Sequence, residues 1–339
     1  LYSLAHVAST LEQVQAMPYG QSFEPHPAVT VRFQDAGHIL GSAIVELWLA
    51  DGLGGTRKLV ASGDLGQLGR VILRDPTPIT DADLLLIEST YGDRQHKSTG
   101  DTLEELVDVV TRTAPHGNVV IPAFAVGRTQ ELLYHFLQLI QQQRLPPVEI
   151  FVDSPMAVAA TDITLRHFGV FDEEARQLLG SVRRLKESPH IHFISDVEDS
   201  IKLNRIRSGA VIISASGMCD AGRVLHHLKN NLSRPECAVV ICGFQAEGSL
   251  GRRLVDGARQ VRLLGDEVEV RAGIHTLGGF SAHADQQALL DWAAAFTRPP
   301  QQTFVVHGEP HASLALATLL HERLHFSVQL PQPGQVFEF

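Results

Sequence analysis

Five polar side chains follow predicted strands or lie in tight loops, and their types suit a metal-dependent hydrolytic centre. His283 lies in the stretch I-H-T-L-G-G-F-S-A-H-A-D, and His307 lies in V-V-H-G-E after a short apolar run. Farther upstream, His38, Asp64 and Glu88 come close behind predicted strands. Zinc binds neutral imidazoles and carboxylates and keeps one position for water. Two such ions, bridged by a carboxylate such as Asp64, can activate water for an in-line displacement at phosphorus.

Spacing alone leaves a plainer interpretation open for each of these residues. No H-E-x-x-H or comparable cluster unites them, and a single loop histidine is more often a residue without a catalytic role. The elements that position the five side chains therefore decide between the two interpretations.

The pattern of predicted helices and strands changes along the chain. Before about residue 93, short strands dominate, at residues 29–33, 43–49, 58–61 and 84–87. From about residue 101, single helices separate apolar strands at residues 119–124, 148–152, 210–214 and 238–242, and a strand at 268–271 follows. This alternation is typical of βαβ units and a parallel sheet, whose ligands gather beyond the carboxyl ends of the strands. The sequence therefore predicts an α/β protein with its chemistry along one rim.

Four loops at these strand ends are rich in Gly, Ser and Arg: A-F-A-V-G-R, D-S-P-M-A, S-A-S-G-M-C-D-A-G-R and G-F-Q-A-E-G-S-L-G-R-R. The third loop, residues 214–223, precedes a helix, so its backbone N–H groups and the helix dipole favour an anion such as phosphate. We predict phosphate contacts from five residues of these loops: Arg128, Ser214, Ser216, Gly217 and Arg223. A glycine-rich turn without a ligand, and arginines that are solvated or cap helices, are the alternatives that the residues leave open.

Composition bounds the class of protein. The 339 residues suffice for two domains or one large α/β body, and the formal net charge of −10 provides no global basic field. Any nucleic-acid site must therefore be a local basic cleft. The three cysteines lack C-x-x-C spacing, and neither a membrane span nor a signal peptide is visible, so we expect a cytoplasmic protein. The chain opens at Leu1 inside a helical pattern, which we interpret as a piece of something longer.

The chain resembles the β-CASP branch of the metallo-β-lactamase fold, and within it the bacterial RNases akin to the eukaryotic pre-mRNA 3′-end cleavage subunit. The resemblance covers essentially the whole chain, in order, through A-G-H-I-L-G-S-A, S-G-D-L-G, I-E-S-T-Y-G-D-R, P-A-F-A-V-G-R-T-Q-E-L-L, D-S-P-M-A, A-S-G-M-C-D-A-G-R-V-L-H-H-L, G-G-F-S-A-H-A-D and V-V-H-G-E. It implies a partial αββα metallo-β-lactamase domain at residues 1–93 and 268–339, interrupted by an α/β β-CASP domain with a parallel sheet at residues 94–267.

The resemblance also implies roles for the five polar residues. His38 would bind one zinc ion, His307 would bind a second, and Asp64 would bridge the two. His283 and Glu88 would form a pair beside the metals, in which His283 protonates the leaving oxygen and Glu88 orients it. The implied reaction is hydrolysis of phosphodiester bonds in single-stranded RNA by a metal-activated hydroxide, leaving a 5′-phosphate and a 3′-hydroxyl.

One departure from the family pattern limits what these residues imply. The H-x-H-x-D-H motif that defines the family is absent, and the only H-x-H is His190-Ile191-His192, which we interpret as an ordinary strand edge. We therefore expect an N-terminally truncated chain that binds at most one zinc ion weakly and is inactive alone.

Two other functions are weighed against this one. A non-catalytic RNA-binding or scaffold member of the same fold is the alternative, because the missing motif favours inactivity while the retained polar residues argue against decay of the site. A general esterase of the lactamase fold is disfavoured, because it would not need the inserted domain. The sequence leaves open endonuclease against 5′-exonuclease action, RNA sequence preference and the oligomeric state, a homodimer included.

Overall fold

The computed structural model describes residues 2–50, 52, 54–167 and 188–338. Short apolar runs separated by turns and helices build two main sheets. The first is a seven-stranded mixed sheet of order β1-β2-β3-β4-β5-β14-β15. Its strands are β1 (Ser22–His26), β2 (Val29–Asp35), β3 (Ala43–Ala50), β4 (Thr56–Ala61), β5 (Leu84–Glu88), β14 (Gln302–Val306) and β15 (Val328–Gln329).

Three parallel neighbours of the first sheet end at the same rim. β4 pairs in parallel with β5, and β5 pairs in parallel with β14. The register sets Glu88 opposite Val306. The segments that follow these strands therefore leave the sheet side by side, which brings the neighbourhoods of Asp64, Glu88 and His307 together as the sequence predicts.

The second sheet has six strands, all parallel, in the order β13-β10-β6-β9-β7-β8. The central strands are buried along their whole length, which explains why they are continuous apolar runs rather than alternating ones. Neighbouring residues Val120 and Ile121 enter different core clusters, because successive side chains point to opposite faces. The strands are β6 (Val119–Pro122), β7 (Glu149–Asp153), β8 (Ile191–Ile194), β9 (Ala210–Ser214), β10 (Ala238–Ile241) and β13 (Gly273–Thr276).

A separate hairpin and an edge strand of the second sheet precede the return of the chain to the first sheet. β12 (Asp266–Glu269) overlaps the strand predicted at residues 268–271, but it forms a separate hairpin with β11 (Gln260–Leu263). β13 then adds to the sheet edge beside β10. The chain therefore leaves the six-stranded sheet after Thr276.

Helices cover the sheets. Leu289 and Leu316, from the last two helices, pack in one core cluster with Ile87 and Val305 of the first sheet. The helices are α1 (Leu4–Leu11), α2 (Thr99–Thr113), α3 (Arg128–Gln141), α4 (Pro155–Arg166), α5 (Val197–Leu203), α6 (Val224–Asn231), α7 (Leu250–Val255), α8 (Gln286–Ala293) and α9 (Pro310–Leu324), with a 3₁₀ turn at Gly278–Phe280. No described helix combines the length and the apolar character that a membrane crossing requires.

The predicted N-terminal helix is confirmed as α1, but it has no buried residue. Leu4 and Leu11 of its apolar stripe are 88% and 65% exposed. An apolar stripe predicts a helix by its period alone, and the period does not say which surface the stripe will meet.

Candidate active site

His38 lies in the loop between β2 and β3, and close backbone packing holds this loop against the one that carries Asp64. The N–H of His38 donates to Oγ of Ser42 at 3.1 Å. Gly66 approaches Gly37 so closely that a Cβ on Gly66 would lie 1.9 Å from the Gly37 carbonyl oxygen. Only glycine allows two backbones to come this near, and the approach places the side chains of His38 and Asp64 next to each other.

His307 leaves β14 in the left-handed conformation, with φ of 55°. This conformation is uncommon for a residue with a side chain, and it clusters at functional sites where the surrounding structure enforces it. A Cβ on Gly308 would lie 2.3 Å from Oγ of Ser89, so the turn packs directly on the segment after β5. Thr90 Oγ1 donates to the His307 carbonyl oxygen at 3.2 Å. These contacts aim His307 at the rim where Asp64 lies.

Asp64 lies between two imidazoles. Its Oδ2 is 3.7 Å from Nε2 of His38, and its Oδ1 is 3.4 Å from Nδ1 of His307. Tetrahedral zinc with bonds of about 2.0 Å places neighbouring ligand atoms about 3.3 Å apart. Both separations, and the pairing of imidazoles with a carboxylate, therefore fit zinc.

His283 also belongs to this cluster. His38, Asp64 and His283 each offer a ligand atom, and these atoms all lie within 4.8 Å of one another. In the described part of the chain, this is the one group of three such residues that meets the spacing for a metal ion.

Glu88 is 1% exposed beneath His283 and holds it by a hydrogen-bonded pair. Nδ1 of His283 lies 3.0 and 3.1 Å from the two carboxylate oxygens. The N–H of Leu65 donates to Oε1 at 2.6 Å, and the N–H of Thr90 donates to Oε2 at 3.2 Å. A histidine that donates Nδ1–H to a carboxylate has a fixed ring orientation and leaves Nε2 for chemistry.

The backbone around His283 is pinned on both sides. The N–H of Ala284 donates to the Leu65 carbonyl oxygen at 2.7 Å. On the other side, Nε2 of His96 lies 3.1 Å from the His283 carbonyl oxygen, and the N–H of His96 donates to Oδ2 of Asp285 at 3.0 Å. Sequence reasoning missed His96 and Asp285 as positioning residues. Asp285 had a signal, since it caps α8 by accepting from the N–H of Ala288.

The electrostatics separate the roles of the two buried histidines. Burial lowers the pKa of His38 to about 4. The His283 ring also lowers this pKa, whereas the charge of Asp64 raises it. His38 is therefore neutral at pH 7, the form in which imidazole binds zinc. Burial also lowers the pKa of His283, but the hydrogen bond and charge of Glu88 outweigh burial and raise it above its ordinary value. Burial raises the pKa of Glu88, but its hydrogen-bond partners, His283 first, outweigh burial and bring the pKa below its ordinary value.

A cavity of about 800 Å³ opens over the cluster and is shared by both sheets. His38, Asp64, His283 and His307 line it from the first sheet, and Arg128 lines it from the start of α3. The structure thus brings together four of the five predicted metal and acid–base residues with one predicted phosphate contact, and Glu88 lies directly beneath them.

Arg128 is 5% exposed and belongs to a buried charge cluster. Its guanidinium donates to Glu131, which also accepts from Arg70 of the loop after β4. Burial raises the pKa of Glu131, but Arg128 and Arg70 outweigh it and bring the pKa below the ordinary value. The cluster therefore carries a net positive charge beside the cavity and joins the two sheets.

The predicted phosphate residues of the turn at 214–223 have internal partners instead of a place in this cavity. Ser214 Oγ donates to the Asp153 carbonyl oxygen at 2.8 Å, and Ser216 Oγ accepts from the N–H of Asp220 at 3.1 Å. The carbonyl oxygen of Gly217 accepts from Nε2 of Gln245 at 3.0 Å. Among the described residues of this turn, Met218 lines the cavity. Phosphate binding by the turn stays a prediction.

Arg223 is the clearest case of an internal partner. Its guanidinium donates to Oδ1 of Asp153 at 2.7 Å and to the Ser195 carbonyl oxygen at 2.6 Å. The fully buried Asp153 also accepts from Ser200 Oγ and lies 2.6 Å from Nε2 of His227. Burial raises the pKa of Asp153, but these partners, His227 first, outweigh it and lower the pKa. Arg223 therefore holds the carboxyl end of β7 to the start of α6.

Comparison of the sequence with known proteins assigns the chain to a family. Residues 129–254 match the model of the Beta-Casp domain, and residues 267–331 match that of the Zn-dependent metallo-hydrolase RNA specificity domain. A ribonuclease of Thermus thermophilus is 39% identical over 315 residues, which cover 93% of this chain and 70% of that protein. An RNase J-like protein of Methanocaldococcus jannaschii is 29% identical over 99% of this chain and 77% of its own length. Transcription termination factor FttA of Pyrococcus horikoshii is 29% identical, and the chain spans 52% of its length.

The fold and the cluster of imidazoles and carboxylates at the strand ends define a metallo-hydrolase. With the family models and the Thermus relative beside them, the chain belongs to the β-CASP family of metallo-β-lactamase-fold RNA nucleases.

Proposed function

We propose that this chain carries a zinc-dependent centre for hydrolysing phosphodiester bonds of single-stranded RNA. The observation that supports it most is the His283–Glu88 pair, joined at 3.0 Å, because its His283 lines the same cavity as His38 and Asp64. A proton donor and a metal-binding cluster that face one cavity are what hydrolysis of a phosphodiester requires.

The residues divide the work of the centre. His38 would hold one zinc ion, His307 a second, and Asp64 would contact both. When bound, zinc lowers the pKa of a coordinated water and neutralises charge that develops on phosphate oxygens. His283 gives its Nε2 proton to the leaving ribose oxygen, while Glu88 keeps the ring oriented and stabilises its charged form. Arg128, a buried cation that lines the cavity, attracts the phosphate backbone of the RNA. The turn at 214–223 supplies further contacts to that phosphate backbone.

The sequence contains no H-x-H-x-D-H, so the 339 residues alone would form only part of this centre. We propose that they hold at most one zinc ion weakly and do not cleave RNA. The second candidate, a non-catalytic RNA-binding role, is favoured by the same observation. RNA binding is common to both candidates, and cleavage separates them.

The experiment pairs a binding titration with a cleavage gel. Fluorescently labelled single-stranded RNA is titrated with the chain at increasing salt, and the same samples are run on a denaturing gel with added zinc. Binding at low salt that weakens steeply as salt rises is expected, because each neutralised phosphate releases counterions. Double-stranded RNA of the same sequence is the matched control and should bind less tightly.

The gel decides between the two candidates when an H-x-H-x-D-H segment typical of the family is added to the chain. Zinc-dependent cleavage by the extended chain supports the nuclease, and zinc-independent binding without cleavage supports the binding role. Absence of RNA binding at every salt concentration would reject both.

A further inference from the structure

Three apolar side chains with no part in the metal cluster are exposed in the same cavity. Phe124 is 45% exposed, Val126 is 38% exposed and Met156 is 67% exposed. All three line the cavity together with His38 and Asp64. Single exposed apolar residues are common on any protein, but several that converge on one cavity indicate a binding surface.

Contacts to both its backbone and its ring hold Phe124 at this position. Its carbonyl oxygen accepts from the N–H of Thr129 at 3.3 Å and from Thr129 Oγ1 at 2.8 Å. A Cβ on Gly217 would lie 2.8 and 2.9 Å from Cδ2 and Cε2 of the Phe124 ring. The ring therefore rests on the bare backbone of Gly217, and its exposed part faces the cavity. An aromatic ring that is fixed before binding loses little conformational entropy when a ligand stacks on it.

The chemistry of the cavity restricts what the occupant can be. One part of its wall is the cluster of imidazoles and a carboxylate with Arg128 beside it, and the other is the apolar patch of Phe124, Val126 and Met156. An occupant that fills both must carry an anionic group and a flat apolar group a short distance apart. Within a volume of about 800 Å³, a nucleotide meets both requirements and an inorganic phosphate meets only the first.

We propose that Phe124 is the stacking platform for one nucleobase of the RNA, adjacent to the phosphate at the metal cluster. This inference rests on the proposed function. Every base has a π face, so stacking on Phe124 tolerates any sequence and anchors the strand by position. Val126 and the polarisable thioether of Met156 flank the base. The anchored base sets which phosphate reaches His283.

The test uses the chain itself and RNA oligomers in which one nucleotide at a time is abasic. Binding is measured by fluorescence anisotropy at low salt. For the unmodified chain, one abasic position should weaken binding about 5- to 100-fold relative to the intact oligomer, since base–aromatic stacking has this magnitude. Phe124→Ala should weaken binding of the intact oligomer by the same factor. With the abasic oligomer, Phe124→Ala should cause no further loss, because the stacked base is already missing.

Two variants control the measurement. Phe124→Trp keeps an aromatic ring and should restore binding of the intact oligomer. Ile163→Ala removes a side chain of α4 that is 50% exposed and lies outside the cavity lining, and should bind like the unmodified chain. Circular dichroism verifies that all variants fold, which is expected because nearly half of Phe124 is exposed.

The outcomes separate this inference from the proposed function. Normal binding by Phe124→Ala, or losses from Phe124→Ala and the abasic position that simply add, would overturn the stacking role while RNA binding persists. An unmodified chain that binds none of the oligomers would overturn both proposals.

Discussion

Nδ1 of His283 lies 3.0 Å from Oε1 of Glu88, although 195 positions separate the two residues in the chain. The pair forms because β5 ends at Glu88 while the loop before α8 returns His283 to the same rim. Each partner raises the stability of the charged form of the other, as the pKa shifts of both residues show. A charged imidazole with a fixed orientation is a proton donor.

His283→Ala should lower turnover without removing metal. In a chain completed with the H-x-H-x-D-H segment, loss of a general acid should reduce the rate of RNA cleavage about 100- to 10,000-fold. Zinc content, measured on the same preparation, should be unchanged. His307→Ala is the matched variant, and it should lower both the rate and the zinc content. If the two substitutions removed zinc equally, His283 would be a ligand and not the acid.

The 339-residue chain should retain at most one zinc ion per molecule at this site after dialysis. We assign its ligands to His38, Asp64 and His307 and keep His283, which also meets the spacing, as the acid; catalytic zinc commonly has three protein ligands. Native mass spectrometry gives the number of zinc ions per chain, and Asp64→Ala should abolish zinc binding. His192→Ala is the control, because its Nε2 lies 2.7 Å from Glu149 on the distant edge of the second sheet. Two zinc ions that survive dialysis would contradict the assigned ligand set.

The protein should lose stability as the pH falls from about 6.5 to about 4, partly through His135. Burial lowers the pKa of His135 to about 4, so the folded protein keeps this ring neutral while the unfolded chain protonates it near pH 6.5. The unfolded state then binds more protons, and the free energy of unfolding decreases by up to about 3 kcal/mol over this range.

Thermal unfolding at pH 7.5 and 5 tests this contribution. His135→Leu should flatten the pH dependence of the midpoint, whereas His116→Leu, at an exposed residue, should not. An equally steep dependence in His135→Leu would assign the acid sensitivity to other groups.

Arg223→Ala should destabilise the fold. Asp153 is fully buried, and removal of the guanidinium at 2.7 Å leaves its charge with fewer partners. The loss should be about 3 kcal/mol, as for other buried pairs from which one partner is removed. Chemical denaturation measures it, and Arg271→Ala, which breaks an exposed pair with Glu269, should have little effect. An unchanged midpoint in Arg223→Ala would show that His227 and Ser200 suffice for Asp153.

The positions of the candidate ligands could be predicted from the sequence because they depend on local patterns of strands and turns. Asp64 and His307 follow apolar strands in turns that contain glycine, and parallel strands end at one rim, so their convergence follows from strand order. The family motifs supply that order. The fold class and the family are confirmed by the two family models and by the Thermus relative.

The partners of side chains on helices could not be predicted in this way. Arg223 and Asp153 are 70 positions apart, and their contact depends on how α6 docks against β7. The sequence pattern gives each element but not the angle at which it packs. The same limit explains β13, whose residues G-I-H-T form no apolar run and whose place in the second sheet depends on its pairing with β10.

The pairing of β5 with β14 has a consequence for when the centre can exist. Thr90 and His307 touch across 217 positions of chain, and of the described strands only β15 follows β14. During synthesis on a ribosome, Asp64 and Glu88 emerge long before the histidine that completes their rim. A growing chain therefore carries an unfinished rim, with Asp64 and Glu88 in place, until the segment that contains His307 has also been translated.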